Sequence, residues 1–290
     1  AWATCNSGSS AAASSLSFCA ASLLLAMVMI WAGDRAGRGT GERWTVLLAY
    51  LMMLAVPLHL SALVVAPAAV VLASDTRDGI AWRRVLVLGG VFLLAMGTGR
   101  VSWWMMAAGV LVACASIVAP HRGARPLARL TLRAGAIAVG ALGVSALAFL
   151  YIRAQFDPTI NQGNPSTWDA LLGVVGRRQY AVSPMWPRMA PLWVQVGNLG
   201  QYADWQVALS TGPTVMPSVL RSLGTMVFLW FGYEGAVAHW RADRRTARGM
   251  LVFLLCGSLG VVAYLNMHAG PSIGYGILAE TTVREAREHF

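Results

Sequence analysis

The chain has 290 residues, of which 57% are apolar and only 12% charged, and its mean hydropathy is +0.59. A soluble domain carries about 25% charged residues, so this composition excludes an ordinary soluble enzyme and fits an integral membrane protein. The formal charge of +10 would point to nucleic acid in a soluble chain, but here the placement of the arginines accounts for it and no nucleic-acid partner is expected.

Residues 1–13 form an uncertain N-terminal edge. The chain starts with Ala rather than Met and stops at Phe290 without a natural ending, so the expectation is a piece of a longer protein; residues 1–13 lack the basic start of a cleavable secretory signal. A bilayer core needs roughly 20 apolar residues in a helix. Runs that approach this length are Ser14–Ala32, Val85–Met96, Val101–Ala119, Leu130–Tyr151, Ser222–Trp240 and Met250–Met267. The run Thr45–Ser74 is too long for one span and contains Pro57 and Pro67. Arg35, Arg38 and Arg43 precede it, and Arg77, Arg83 and Arg84 follow it. Positive flanks favour the cytoplasm, and a single crossing would put one of these clusters outside. The run therefore reads as two short helices that enter and return, residues 45–74, with His59 near the turn. Further basic segments, Pro120–Arg129 and Arg241–Arg248, then fall on the cytoplasmic side.

The predicted fold is an all-α polytopic membrane protein with about eight membrane helices, two of them a short re-entrant-like pair. Membrane helices occupy 14–151 and 218–267; a polar region, 152–217, and a C-terminal edge, 268–290, lie on the extracytoplasmic side. Trp44, Trp82, Trp103, Trp104 and Trp240 stand at or near run ends, as interfacial aromatics do. Cys5, Cys19, Cys114 and Cys256 show no metal-ligand spacing, and no metal or cofactor is expected.

The segment from Tyr151 to Gln206 is a polar island in this apolar chain. Ser166-Thr-Trp-Asp169 has the form of a capping box, and Trp168, Leu171, Leu172 and Val175 follow at helical spacing. A short amphipathic helix lying on the membrane surface is predicted, although the same pattern suits a helix that merely packs on the spans beneath. Arg153, Arg177, Arg178 and Arg188 lie in or beside the island; guanidinium matches phosphate through paired donors, while any one of these arginines can equally be an interface anchor or an ion-pair member. The amides of Asn161, Asn164, Gln179, Asn198 and Gln201 and the rings of Trp168, Tyr180, Trp186, Trp193 and Trp205 suit a sugar, and equally a polar domain resting on headgroups. The only acids of the island are Asp157, Asp169 and Asp204. They form no paired-carboxylate pattern, so the catalytic residue is unassigned. Ionisable residues within or at the edge of apolar runs are His59, Arg100, Arg221 and Glu234. Such groups are functional candidates, and His59 is the strongest.

The stretches YIRAQFDPTINQGNPSTW, GRRQYAVSPMWPR and YADWQ resemble the signature region of the bacterial proteins labelled domain of unknown function 2723, relatives of the transmembrane protein 260-type protein O-mannosyltransferases of animals. LLAYLMMLAVPLHLSALVVAPA resembles the re-entrant pair of that family with its histidine. The run from His239 to Asn266 resembles its last helix pair, and VREAREHF its closing element. The resemblance extends over roughly Ser14 to Phe290. It implies a C-type glycosyltransferase-like membrane enzyme, in a bacterial inner membrane, with a polyprenyl-phosphate-linked sugar as donor and a protein or glycan acceptor outside. It implies Arg153, Arg178 and Arg188 as donor-phosphate ligands, and Asn161, Asn164, Trp168, Gln179, Tyr180 and His59 as sugar or acceptor ligands. Enzymes of this kind usually keep their catalytic acid in a first outer loop, which would precede Ala1. The family commonly carries an acidic motif where this chain has SGSSAAASSLSF. That departure keeps a non-catalytic scaffold or sugar-binding module open beside the enzyme, and a transporter or flippase is the third reading.

Overall fold

The computed structural model describes residues 9–39, 42–116, 142, 145–159, 161, 163–176, 178, 185–208 and 219–266. The chain is mostly helical and divides into two compact units. The first is Ala13–Ala181 with Arg248–Phe253; the second is Val182–Ala247 with Leu254–Phe290 and Ala1–Ala12. The polar region read as one segment, 152–217, is therefore shared between both units.

The first unit begins with α1 (Ser9–Gly37) and α2 (Glu42–Leu58), followed by a 3-10 turn, Leu60–Val65, and α3 (Ala66–Ser74). Pro57 lies in the last turn of α2, and His59 leaves the helix in an extended conformation (φ −164°, ψ 113°). The His59 carbonyl then accepts from Ala62 N at 3.1 Å, which starts the 3-10 turn. Pro67 stands in the first turn of α3, where its missing N–H is no loss. A two-stranded hairpin follows, β1 (Asp75–Thr76) against β2 (Gly79–Ile80), with Asp75 opposite Ile80. Next come α4 (Trp82–Gly99), α5 (Trp103–Ala115), α6 (Ser145–Ala154) and α7 (Trp168–Val175).

Side-chain contacts fix the direction of these helices. Trp31 in α1 meets Trp44 at the start of α2 edge-on, with centroids 4.7 Å apart. Arg84, at the head of α4, donates to the carbonyls of Ala36 (2.6 Å) and Ala73 (3.0 Å). The end of α1, the start of α2, the end of α3 and the start of α4 thus share one end. At the other end Gly99 packs on Leu60; a β-carbon there would lie 2.5 Å from Leu60 Cδ1. The chain therefore turns over at His59, with both arginine clusters at the opposite end.

Small residues allow close helix contact, as they do between membrane helices. A β-carbon on Gly33 would lie 2.6 Å from the Ala69 carbonyl oxygen, and one on Gly90 would lie 2.6 Å from Ala113 N and 2.7 Å from Gly109 O. Between these contacts lies a core of Met29, Leu48, Met52, Leu63 and Leu88 with many alanines.

The second unit contains α8 (Leu192–Ala208), α9 (Val219–Ala242), a π-type turn, Cys256–Gly260, and α11 (Val261–Leu265), together with both ends of α10 (Arg244–Leu255), whose middle, Arg248–Phe253, counts with the first unit. Asp243 separates α9 from α10 and caps the latter, its Oδ1 accepting from Arg245 N (3.0 Å) and Thr246 N (3.2 Å).

Among the described residues, three helices are long and apolar enough to cross a membrane: Ala20–Gly37, Trp82–Gly99 and Arg244–Leu265. They correspond to the expected runs Ser14–Ala32, Val85–Met96 and Met250–Met267, with shifted bounds. Trp103–Ala115 and Ser145–Ala154 are shorter apolar helices. Most of Leu130–Tyr151 and the closing edge 268–290 lie outside the described residues. The helix α9 has 24 residues but is not among the three; Arg221, Glu234, His239 and Arg241 make it too polar.

Candidate functional site

The candidate residues of the first unit gather around α6 and α7. The capping reading is corrected by one residue: Thr167, not Ser166, is the N-cap of α7, and its Oγ1 accepts from Ala170 N at 3.3 Å. The carbonyl of Ser166 accepts from Gln155 Nε2 at 2.8 Å, tying the loop back to the end of α6. Asp169 makes no reciprocal cap. It stands in the first turn of α7 and pairs with Arg178 Nη1 at 3.1 Å, both side chains largely exposed. Trp168 stacks on Tyr151, with centroids 5.3 Å apart and planes 17° from parallel. Between them the chain turns tightly through left-handed residues at Asp157, Gly163 and Asn164, types that tolerate positive φ. Asn161 Nδ2 donates to Asn164 Oδ1 at 3.0 Å. Arg153 is exposed in the last turn of α6.

This polar cluster lies at the His59 end of the unit. A β-carbon on Gly176, at the end of α7, would lie 3.1 Å from Val101 Cγ2. Val101 is in the α4–α5 turn, next to the contact of Gly99 with Leu60. His59 is exposed, and its Nδ1 is 2.5 Å from Ser61 Oγ. It opens on a groove of about 460 Å³ walled by Leu23, Ala26, Met27 and Ile30 of α1, by the 3-10 turn, and by Met250 and Phe253. The polar side chains of that wall are Ser22, His59 and Ser61.

Arg188 belongs to the second unit and has a different role from the one expected. Its Nη1 donates to the carbonyls of Ala263 (2.8 Å) and Met185 (3.3 Å), and its Nη2 to Val262 O (3.1 Å) and Gln195 Oε1. A cation at the last carbonyls of a helix complements its dipole, so Arg188 clamps α11 rather than presenting a fork to a ligand. Asn266 completes the clamp. It ends α11 in the left-handed conformation, accepts from Met189 N (2.9 Å) and Gln195 Nε2 (3.2 Å), and donates to Pro187 O (2.9 Å). Gln179, Tyr180 and Arg177 lie outside the described residues.

Sequence reasoning missed a buried polar stripe on α8. Gln195, Asn198, Gln201 and Asp204, three residues apart, are buried, while Leu192, Trp193 and Val196 are exposed. This inside-out pattern is the one that apolar surroundings impose. Asp204 is the acceptor of an ion pair with Arg221 Nε, and its other oxygen accepts from Thr225 Oγ1 at 3.0 Å. The three-residue spacing of these polar residues was the available signal. On the same helix, burial pushes the Tyr202 phenol above its usual range.

Exposed guanidinium groups, paired amides and a stacked aromatic face can hold a phosphorylated sugar. Among the described residues no group of three His, Cys, Asp or Glu side chains could hold a metal ion. Comparison with known proteins finds no match: no family model fits the chain, and no curated protein or solved structure is significantly similar to it. These comparisons lend the family resemblance no support.

Proposed function

We propose that this chain is part of a polyprenyl-phosphate-dependent membrane glycosyltransferase. It would transfer a mannose-like sugar to an extracytoplasmic acceptor, which the family resemblance implies to be a protein hydroxyl. The carrying observation is the grouping at one end of the first unit. Arg153, Asn161, Asn164, the Tyr151–Trp168 stack and Arg178 share the His59 end, away from the arginine-rich end. The groove beside His59 offers an apolar wall for the donor's lipid chain and a polar mouth for its head. Arg153 and Arg178 would hold the donor phosphate and stabilise it as it leaves; Arg188, occupied at α11, drops out of this role. The base that activates the acceptor is unassigned among the described residues.

In the full-length protein, Arg178→Ala and Arg153→Ala should each lower sugar transfer by about 10²-fold or more, with expression and unfolding midpoint unchanged. Undiminished transfer in both variants would remove the assignment. The carrier reading draws on the buried Asp204–Arg221 pair, the kind of group that coupled transporters use. Substrate uptake by reconstituted vesicles, lost in Asp204→Asn, would favour it.

A further inference from the structure

We propose that residues 185–196 form a lipid-facing anchor whose apolar side chains enter the acyl layer of a bilayer just below headgroup depth. Met185, Trp186, Met189, Leu192, Trp193 and Val196 are all exposed, from 36% at Met189 to 78% at Trp186. An apolar surface concentrated in this way marks an interaction site. The last three of these residues share one face of α8. The polar side chains of that helix are turned inwards instead: Gln195, Asn198, Gln201 and Asp204 are buried. A helix that meets water shows the reverse arrangement.

Hydrogen bonds set the depth of this surface. Arg188 donates to the carbonyls of Val262 (3.1 Å) and Ala263 (2.8 Å). Asn266 accepts from Met189 N (2.9 Å) and Gln195 Nε2 (3.2 Å) and donates to Pro187 O (2.9 Å). Residues 187–195 are thereby pinned to the end of Arg244–Leu265, a helix long and apolar enough to cross a membrane. The ends of such helices lie at headgroup level, where tryptophan concentrates. Charge then selects how the surface attaches. Between Gln179 and Leu220 the charged residues are Arg188 and Asp204. Arg188 is held by the α11 carbonyls, and Asp204 is paired with Arg221 in the interior. The exposed face therefore offers only apolar and aromatic groups, and it attaches by apolar burial without need of anionic lipid. A sugar would need amide partners for its hydroxyls, but the α8 amides of Gln195, Asn198 and Gln201 are buried; Trp186 and Trp193, open in the sequence between sugar and headgroups, are thus assigned to lipid. This assignment uses no feature of the proposed sugar transfer, so the two are tested independently.

The test places the purified full chain in phosphatidylcholine vesicles with a nitroxide on Val196→Cys, after Cys5, Cys19, Cys114 and Cys256 are replaced by alanine. Collisions with oxygen, which concentrates in the acyl layer, and with a nickel chelate, which stays in water, report the depth of the nitroxide. It should collide more with oxygen than with the chelate and lie about 5–10 Å into the headgroup–acyl boundary. The same depth should be found in vesicles that also contain phosphatidylglycerol. A nitroxide more open to the chelate would put this face in water, and one shielded from both reagents would put it against protein, a second copy included; either result would overturn the proposal. So would a depth reached only when phosphatidylglycerol is present. Should the cysteine-free chain fail to fold, the unaltered chain decides, in phosphatidylcholine that carries a diazirine on its acyl chain. Lipid adducts should then map to residues 185–196 as well as to Arg244–Leu265, and adducts on that helix alone would overturn the anchor.

Discussion

Replacing Arg221 by methionine removes one half of a buried ion pair while leaving an unbranched side chain. Arg221 is 1% exposed, and the side chain of its partner Asp204 is 9% exposed. In the variant Asp204 keeps the hydrogen bond from Thr225 at 3.0 Å but loses its counter-charge in a site closed to water. Stranding one member of such a pair costs about 3–5 kcal/mol. Asp204→Leu should cost a similar amount, because it removes the carboxylate opposite a buried guanidinium. Asp204→Leu combined with Arg221→Met removes both charges, and Thr225 Oγ1 retains the Arg221 carbonyl at 3.2 Å as acceptor. The double variant should therefore be less destabilised than either single one, giving a coupling of about 3 kcal/mol or more in the cycle. Unfolding in detergent, followed by tryptophan fluorescence, measures this directly. For a chain of this size roughly 2–4 °C accompanies each kcal/mol, so each single variant should lose about 6–20 °C in midpoint. Single variants that each cost less than about 1 kcal/mol and combine additively would refute the reasoning.

Gly90→Ala should destabilise the α4–α5 contact by about 1–3 kcal/mol, because its new methyl meets the backbone of Ala113 and Gly109 at 2.6 and 2.7 Å; thermal unfolding would show it, and an unchanged midpoint would contradict that packing. Asn266→Ala should cost about 2–4 kcal/mol by removing hydrogen bonds from a buried group and straining a left-handed backbone position. Asp169→Asn should change stability by less than about 1 kcal/mol, since its bond to Arg178 is exposed. Burial raises the Tyr202 phenol, so the folded state holds this proton longer than the unfolded chain. Its stabilisation is complete below the unfolded value of about 10 and is lost as pH rises through the folded value; Tyr202→Phe should flatten the stability profile in that alkaline window, and an unchanged profile would count against it.

The overturn at His59 was legible in the sequence because two independent constraints agree on it. Pro57 and Pro67 interrupt the helix, and arginines at both flanks require the chain to return to the side it left. The helix α7 was legible from its apolar spacing. Its cap was misread by one residue because Ser166 and Thr167 are both competent acceptors, and backbone geometry decides between them. Arg188 was not legible: its carbonyl partners on α11 lie 74 and 75 residues away, and a guanidinium that clamps a helix end looks in sequence like one that awaits a phosphate. Asp204 and Arg221 each stood out singly, but their pairing spans 17 residues and two helices. The Tyr151–Trp168 stack likewise needed the loop between them to close.

The central claim is transfer of a sugar from a lipid-linked donor. The most direct test incubates purified full-length protein with a radiolabelled polyprenyl-phosphate sugar and an extracytoplasmic acceptor, and follows the label. The account predicts that labelled sugar moves to the acceptor while the donor is consumed, and that Arg178→Ala abolishes both. Donor that stays intact in the presence of stable, folded full-length protein across the acceptors tried would contradict it.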